Sequence, residues 1–566
     1  MKHIHLFLVA LFVGVLLFAC AAADQLGGFE FTLNDDGTAT ITGYVGVETE
    51  ELEIPAELVK KTKKSGETRV TVTAIGDGAF AKCRELTRVI IQEGITDIGA
   101  GAFSKCENLA EVIIPEGVTR IGNDAFYECA LVTIDLPDSV VEIGRNPFSD
   151  CFDLKEIHVS PDCKGLAVID GVLFSKADKR LVCYPGGLER EEYAVPDGIR
   201  IIDSAAFPGT GMKYDSIYDM YINVYHGPSS LFIPGSVESI DRSTFYQHKN
   251  LTQVIIQEGV TSIGQDAFGG TGLVSLIIPN SVTSIGEGAF MGCRDLMYVS
   301  LPDGLTAIEQ GTFCNCSELR TIILPQGLKR IGYENYDPYL QSGSFGAFAG
   351  CSNLTSITIP DTLEVIGEYV FLQCTSLTSI SIPGNVTRIG RRAFQGCTNL
   401  AGIVIPDSVT EIGEAAFAGC SGLTEIVLPG SIGSVEAGLF SATVSADMRY
   451  SQSPEIRSSL TGVVLEEGIT SIGASAFFRC DHLTEIVIPE TVTSIGMFAF
   501  AGCDSLTSIT IPSSVTEIGN CAFDTLDFQR NTAMTIYVER NSYAAEYCKE
   551  FGYNYTYPDA LDWLNN

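Results

Sequence analysis

The chain has 566 residues, 45% of them hydrophobic, with 70 acidic and 35 basic side chains and a formal charge of −35. The apolar fraction is ample for a large core. The acidic excess, with no basic stripe anywhere along the chain, excludes an ordinary nucleic-acid binder and suits a protein kept soluble by self-repulsion.

Residues 1–23 read as an export signal. Lys2 supplies a short basic start, and Ile4 to Phe18 is an apolar run shorter than a bilayer span requires. Two processing sites are written at its end. Leu17-Phe18-Ala19-Cys20 has the layout of a bacterial lipobox, although Phe18 is unusual there, and would leave Cys20 as a lipidated N-terminus. Ala21-Ala22-Ala23 offers instead a small-residue cleavage site before Asp24. No later apolar run is long enough to cross a bilayer. The closing ALDWLNN has neither a wall-sorting motif nor a hydrophobic tail. The expected location is therefore extracellular, either held to a membrane through a lipid on Cys20 or released.

Residues 24–70 predict an N-terminal cap. FEFTLNDDGTATITGY is two alternating strands around Asp35-Asp36-Gly37, a strong hairpin signal. ELEIPAEL imitates half of a coil. Lys60, Lys61, Lys63 and Lys64 form a rare basic spot, read as a solvated loop.

From about residue 71 to 533 one pattern repeats: L-x-x-I-x-I-P-x-x-V-x-x-I-G-x-x-A-F-x-x-C, as in LTSITIPDTLEVIGEYVFLQC from Leu354 to Cys374. Its Phe column has seventeen members, from Phe80 to Phe523, with gaps of 22 or 23 except 59, 38, 35 and 37. Self-similarity at a fixed period of this length means a stacked array. Each coil is expected to hold one short strand, with Ile357 and Ile359 inward and Ser356 and Thr358 outward. The Pro after the strand has no N–H and stops the ladder. The Ile-Gly pair is read as an apolar anchor beside a residue free to take positive φ. The Ala-Phe pair sends a ring into the core. At ~4.8 Å per parallel strand, the coils would extend roughly 80 Å.

These residues resemble the BspA-like (Treponema pallidum type) leucine-rich repeat family. The resemblance covers about residues 70–535, and the Pro after the strand and the I-G-x-x-A-F segment mark the subtype. It implies an α/β-type repeat solenoid, curved, with a parallel sheet on one face and about seventeen coils of ~23 residues. It also implies a non-enzymatic surface or secreted protein, adhesin-like, that needs no cofactor.

Four departures break the period. Residues 152–206 read as a hairpin inserted before the coil resumes, with Asp203 where Gly normally sits; the resemblance identifies it as a variant unit of the family. An insert at 208–230 carries Tyr214, Tyr218, Tyr221 and Tyr225. Another at 333–346 carries Tyr333, Tyr336 and Tyr339, and a more polar one spans 441–458. Loops on a rigid scaffold often carry binding groups, and these tyrosines read either as pins for their loops or as ligand contacts. Residues 534–566 predict a C-terminal cap: a strand MTIYV, a helix capped by Ser542 and ended by Gly552, and a return strand YNYTYP.

Of eighteen cysteines, twelve sit three residues after a column Phe. In an exported chain a disulfide framework is the usual reading, and neighbours about 5 Å apart fall within bridging range. A regular column points instead to a ladder of small buried thiols. Cys314-Asn315-Cys316 is a poor metal signal, the six histidines are scattered, and no EF-hand, P-loop, nucleophile elbow or H-E-x-x-H appears. No catalytic or metal residue is therefore named.

The outward strand positions are more informative. One row carries Ile90, Ile113, Ile255, Ile277, Ile323, Val404, Val427, Val464 and Val487. A second carries Arg88, Glu111, Gln253, Ser275, Tyr298, Ser356, Ser379, Glu425, Glu485 and Ser508. β-Branched residues suit a sheet in any case. They also make a mildly apolar docking strip. The expected partner is a protein or a glycan on a host, microbial or extracellular surface. A protein would lie along the strip; a glycan would stack on the loop tyrosines.

Overall fold

Alternation in the repeat settles which side chains are inside. Leu354, Ile357 and Ile359 are buried, while Ser356 and Thr358 between them face solvent. The computed structural model describes residues 24–46, 49–62, 66–215, 220–225, 227–333, 346–441, 458–527 and 529–558. It divides into two units, one of Met1–Phe148 with His158–Gly165, the other of Ser149–Ile157 with Leu166–Asn566.

In the first unit, Phe29–Leu33 and Ala39–Tyr44 pair as the hairpin read from Asp35-Asp36-Gly37. Two parallel ladders follow. One runs through Glu51–Ile54, Arg88–Ile91 and Glu111–Ile113. The other runs from Gly66–Ile75 through Asp97–Ile98, Arg120–Ile121 and Glu142–Ile143. Each coil thus has a second strand, two residues long, just before its Gly. The expectation of one strand per coil missed it, because two residues show no alternation.

The second unit repeats this plan. One wall is a nine-stranded sheet from Glu192–Ala194 to Gly402–Val404, followed by a three-stranded sheet of Glu425–Leu428, Gly462–Leu465 and Glu485–Val487. Its long gap hides a further coil. Leu166–Ile169, Val172–Ser175 and Arg180–Cys183 form an antiparallel meander, a strand more than the expected hairpin. Arg180–Cys183 then pairs in parallel with Ile201–Ile202, and the Tyr184 ring stacks on Phe207 at 5.1 Å. Tyr184 lies 23 residues before Phe207, so the period was present with Tyr in the Phe column. Asp203, in the glycine position, reaches the Arg180 guanidinium of that meander.

The Phe column forms a continuous stack within each unit, with ring centroids 5.2 to 5.7 Å apart from Phe80 to Phe148. In the second unit the stack runs unbroken from Phe245 to Phe523, with rings near parallel. Its end is closed edge-on by Tyr553, whose ring stands at 88° to Phe523. Tyr553 follows the helix Tyr543–Phe551, which Ser542 caps at Ala545 N and Gly552 ends in the left-handed region.

The glycines after Ile have a different role from the one expected. Among the described residues only Gly332 of this column has positive φ. The others are needed for close approach of coil to coil: a Cβ on Gly390 would stand 2.5 Å from the Gly367 carbonyl carbon and 2.6 Å from Glu368 N. Positive φ falls instead two residues before and after Phe, as at Asp124 and Glu128 around Phe126.

All seventeen described cysteines are free thiols, and Cys20 lies outside the described residues. The column thiols also donate hydrogen bonds. Cys106 Sγ reaches Phe80 O at 3.1 Å, and Cys374 Sγ reaches Phe348 O at 3.2 Å, each in the preceding coil. Burial pushes the Cys106 and Cys420 thiols up to about 12. The thiolate is the reactive form, so the column is expected to resist iodoacetamide at pH 8 in the folded protein and to react fully in denaturant. Cys83 and Cys521, both half-buried, should label first. Rapid native alkylation of Cys374 or Cys397, followed by mass spectrometry, would contradict the packing described.

Candidate functional site

The outward row predicted from alternation is exposed except at Ile90, which is half-buried. In the second unit Ile277, Ile323 and Val404 are 70%, 72% and 78% exposed, while their inward neighbours Leu276, Ile322 and Ile403 are buried. Parallel pairing keeps each row in register: Gln253 stands opposite Ser275, Ser275 opposite Tyr298, and Ile277 opposite Ser300. Gln253, Ile255, Tyr298 and Ile323 therefore share the open face of the nine-stranded sheet. Arg88, Ile90, Glu111 and Ile113 lie on the corresponding face in the first unit, where Arg88 Nε is 3.0 Å from Glu111 Oε2.

Glu425, Val427, Glu485 and Val487 come together in a hollow of about 570 Å³. Its floor is the outward row Val404, Val427, Val464 and Val487. Registers place Glu425 opposite Gly462 and Gly462 opposite Glu485, with Val427, Val464 and Val487 aligned beside them. Gly462 was missed by the sequence reading. The signal was available, because most other coils carry a side chain at that position, Gly402 in the coil before Glu425 being the exception. The missing side chain opens a notch between the two carboxylates.

The loop tyrosines separate. Thr210–Asp215 and Met220–Tyr225 form an antiparallel hairpin that places Tyr214 opposite Tyr221 and Tyr225 opposite Thr210. Tyr218, Tyr336 and Tyr339 lie outside the described residues. Tyr333 is held by the scaffold: its hydroxyl contacts the Glu287 carboxylate, and Arg330 lies 5.6 Å over its ring. Burial and Glu287 push its phenol up to about 12. Among the described residues no group of His, Cys, Asp or Glu is arranged to hold a metal, and no helix is long and apolar enough to cross a membrane.

Residues 73–190, 225–338, 343–459 and 456–549 match the family described as BspA type leucine rich repeat region (6 copies). No curated protein matches the chain. Among solved structures, a leucine-rich repeat protein from Bacteroides ovatus is 24% identical over 94% of this chain and 99% of its own, with a TM-score of 0.49. One from Eubacterium ventriosum is 20% identical over 76% of this chain and 98% of its own, with a TM-score of 0.42. A leucine rich cell surface protein from Faecalibacterium prausnitzii is 23% identical over 67% of this chain and 94% of its own, with a TM-score of 0.30.

Proposed function

The chain belongs to the BspA-type leucine-rich repeat family, and from that premise we propose that it is a non-enzymatic, adhesin-like binding protein of the cell surface or extracellular space. It docks a macromolecule, most simply a protein, along the open strand face of its second unit. The observation that carries this is one registered outward row on a single sheet, in which the exposed Ile255, Ile277, Ile323 and Val404 are interspersed with the small polar Ser300, Thr358 and Ser381. A fixed array of this kind gives many weak contacts in parallel and orders few side chains on binding. The anchor is a lipid on Cys20 in one form of this reading, and the protein is released in the other.

A second reading, a glycan-binding role, rests on the cross-strand placement of Tyr214 and Tyr221 in the inserted hairpin. Purified residues 24–566 would be screened against extracellular-matrix proteins and a polysaccharide panel, beside a form lacking 208–230 and 333–346. Protein binding that survives the deletion is the expected result. Glycan binding lost with the inserts would replace the first reading by the second.

A further inference from the structure

Acids and bases that meet across neighbouring coils in this chain habitually pair. Arg200 lies 2.6 Å from Glu238, Arg330 2.7 Å from Glu309, and Arg388 3.1 Å from Glu411. With 70 acidic against 35 basic side chains many carboxylates stay unpaired, and the hollow on the three-stranded sheet brings two of them to either side of one glycine. Glu425 and Glu485 flank Gly462 in register, and among the described residues neither has an ion-pair partner. Two parallel-strand steps put their backbones roughly 10 Å apart. An ammonium or guanidinium group seated over Gly462 would have a carboxylate on each side, while its aliphatic stem lay on Val427, Val464 and Val487. Long basic side chains combine an apolar stem with a charged head in this way.

We propose that this hollow is the seat of a lysine or arginine side chain on an extended segment of the partner protein. The proposal rests on the docking reading above and adds the chemistry of the partner. The valine row crosses four strands, roughly 15 Å, which an extended segment of about five residues spans at ~3.3 Å each. Charge selects the occupant: a second copy of a chain carrying −35 would be repelled, whereas a basic segment is attracted.

The test uses fluorescein-labelled heptapeptides, Thr-Val-Thr-X-Thr-Val-Thr, with X as Lys, Arg, norleucine or Glu, titrated into the full chain. The Lys and Arg peptides should bind, and the norleucine and Glu peptides should bind at least tenfold more weakly. The double variant Glu425→Gln/Glu485→Gln should lose about tenfold toward Lys and Arg only, consistent with two exposed charge contacts. Raising salt should erase the difference. Gly462→Leu should block all four peptides without unfolding the chain, because the nearest atom to an added Cβ there is Glu425 Cγ at 3.8 Å. Glu85→Gln, on an exposed turn of the other unit, should change nothing. Equal binding of all four peptides, lost in Val464→Asp but indifferent to the glutamate changes, would overturn this inference while leaving the docking face standing. Failure of the Lys and Arg peptides to bind at all would also overturn it, and the protein screen would then judge the docking face independently.

Discussion

Phe371→Ala is expected to destabilise the second unit by about 3–5 kcal/mol. Phe371 is fully buried and sits between Phe348 and Phe394, with centroids 5.7 and 5.3 Å away and the rings nearly parallel to both. Its backbone N–H donates to Ala393 O at 2.7 Å, so the coil joint runs through the same residue. Removing the ring leaves a cavity that the two neighbouring rings cannot fill, because each is fixed by its own partner on the far side. In a stacked array each coil is stabilised by its neighbours. The loss should therefore appear as local opening: amides from about Phe348 to Phe394 should exchange faster than those near Phe477 in hydrogen-exchange mass spectrometry. Uniform exchange with a loss below ~1 kcal/mol would contradict the stacked core.

Gly390→Ala is expected to cost about 2–3 kcal/mol, the scale of a forced overpacking. The added methyl carbon would meet backbone atoms of Gly367 and Glu368 within 2.7 Å, and backbone cannot turn aside as a side chain can. Four coils carry Asp203, Asp241, Glu309 or Glu436 at this place, so a joint can be built wider where the surrounding chain is set for it. For that reason the cost should remain that of one strained joint. Gly402→Ala is the matched control, with nothing within 4 Å of its Cβ position and no positive φ. It should lie within about 0.5 kcal/mol of the native chain in urea unfolding. Equal effects of the two substitutions would refute the close-approach role of the column.

The architecture was legible because every coil repeats the same burial problem. One alternating strand and one Phe, read seventeen times and in most coils with a Pro between them, leave little choice of fold. What periodicity could not show were features that depend on coil-to-coil distance. The glycine after Ile reads as a turn residue from its type alone, and only the spacing of adjacent backbones shows that its missing Cβ is the point. The cysteine column reads as small and apolar, and only the placement of Phe80 O beside Cys106 Sγ shows the thiol as a donor. Tyr184 keeps the period of the Phe column but not its residue type, so only its stacking on Phe207 shows that it belongs there. The outward row was predicted correctly, from alternation, but its hollow depends on an absence at Gly462 that a list of present side chains passes over.

The most direct test of the docking face is the affinity of a ligand recovered in the screen for the chain carrying Ile277→Asp, Ile323→Asp and Val404→Asp together. All three side chains are largely exposed and lie outside the buried core. Calorimetric unfolding should therefore be unchanged, while affinity falls by tenfold or more. Unchanged affinity, with the fold intact, would place binding elsewhere and contradict the account.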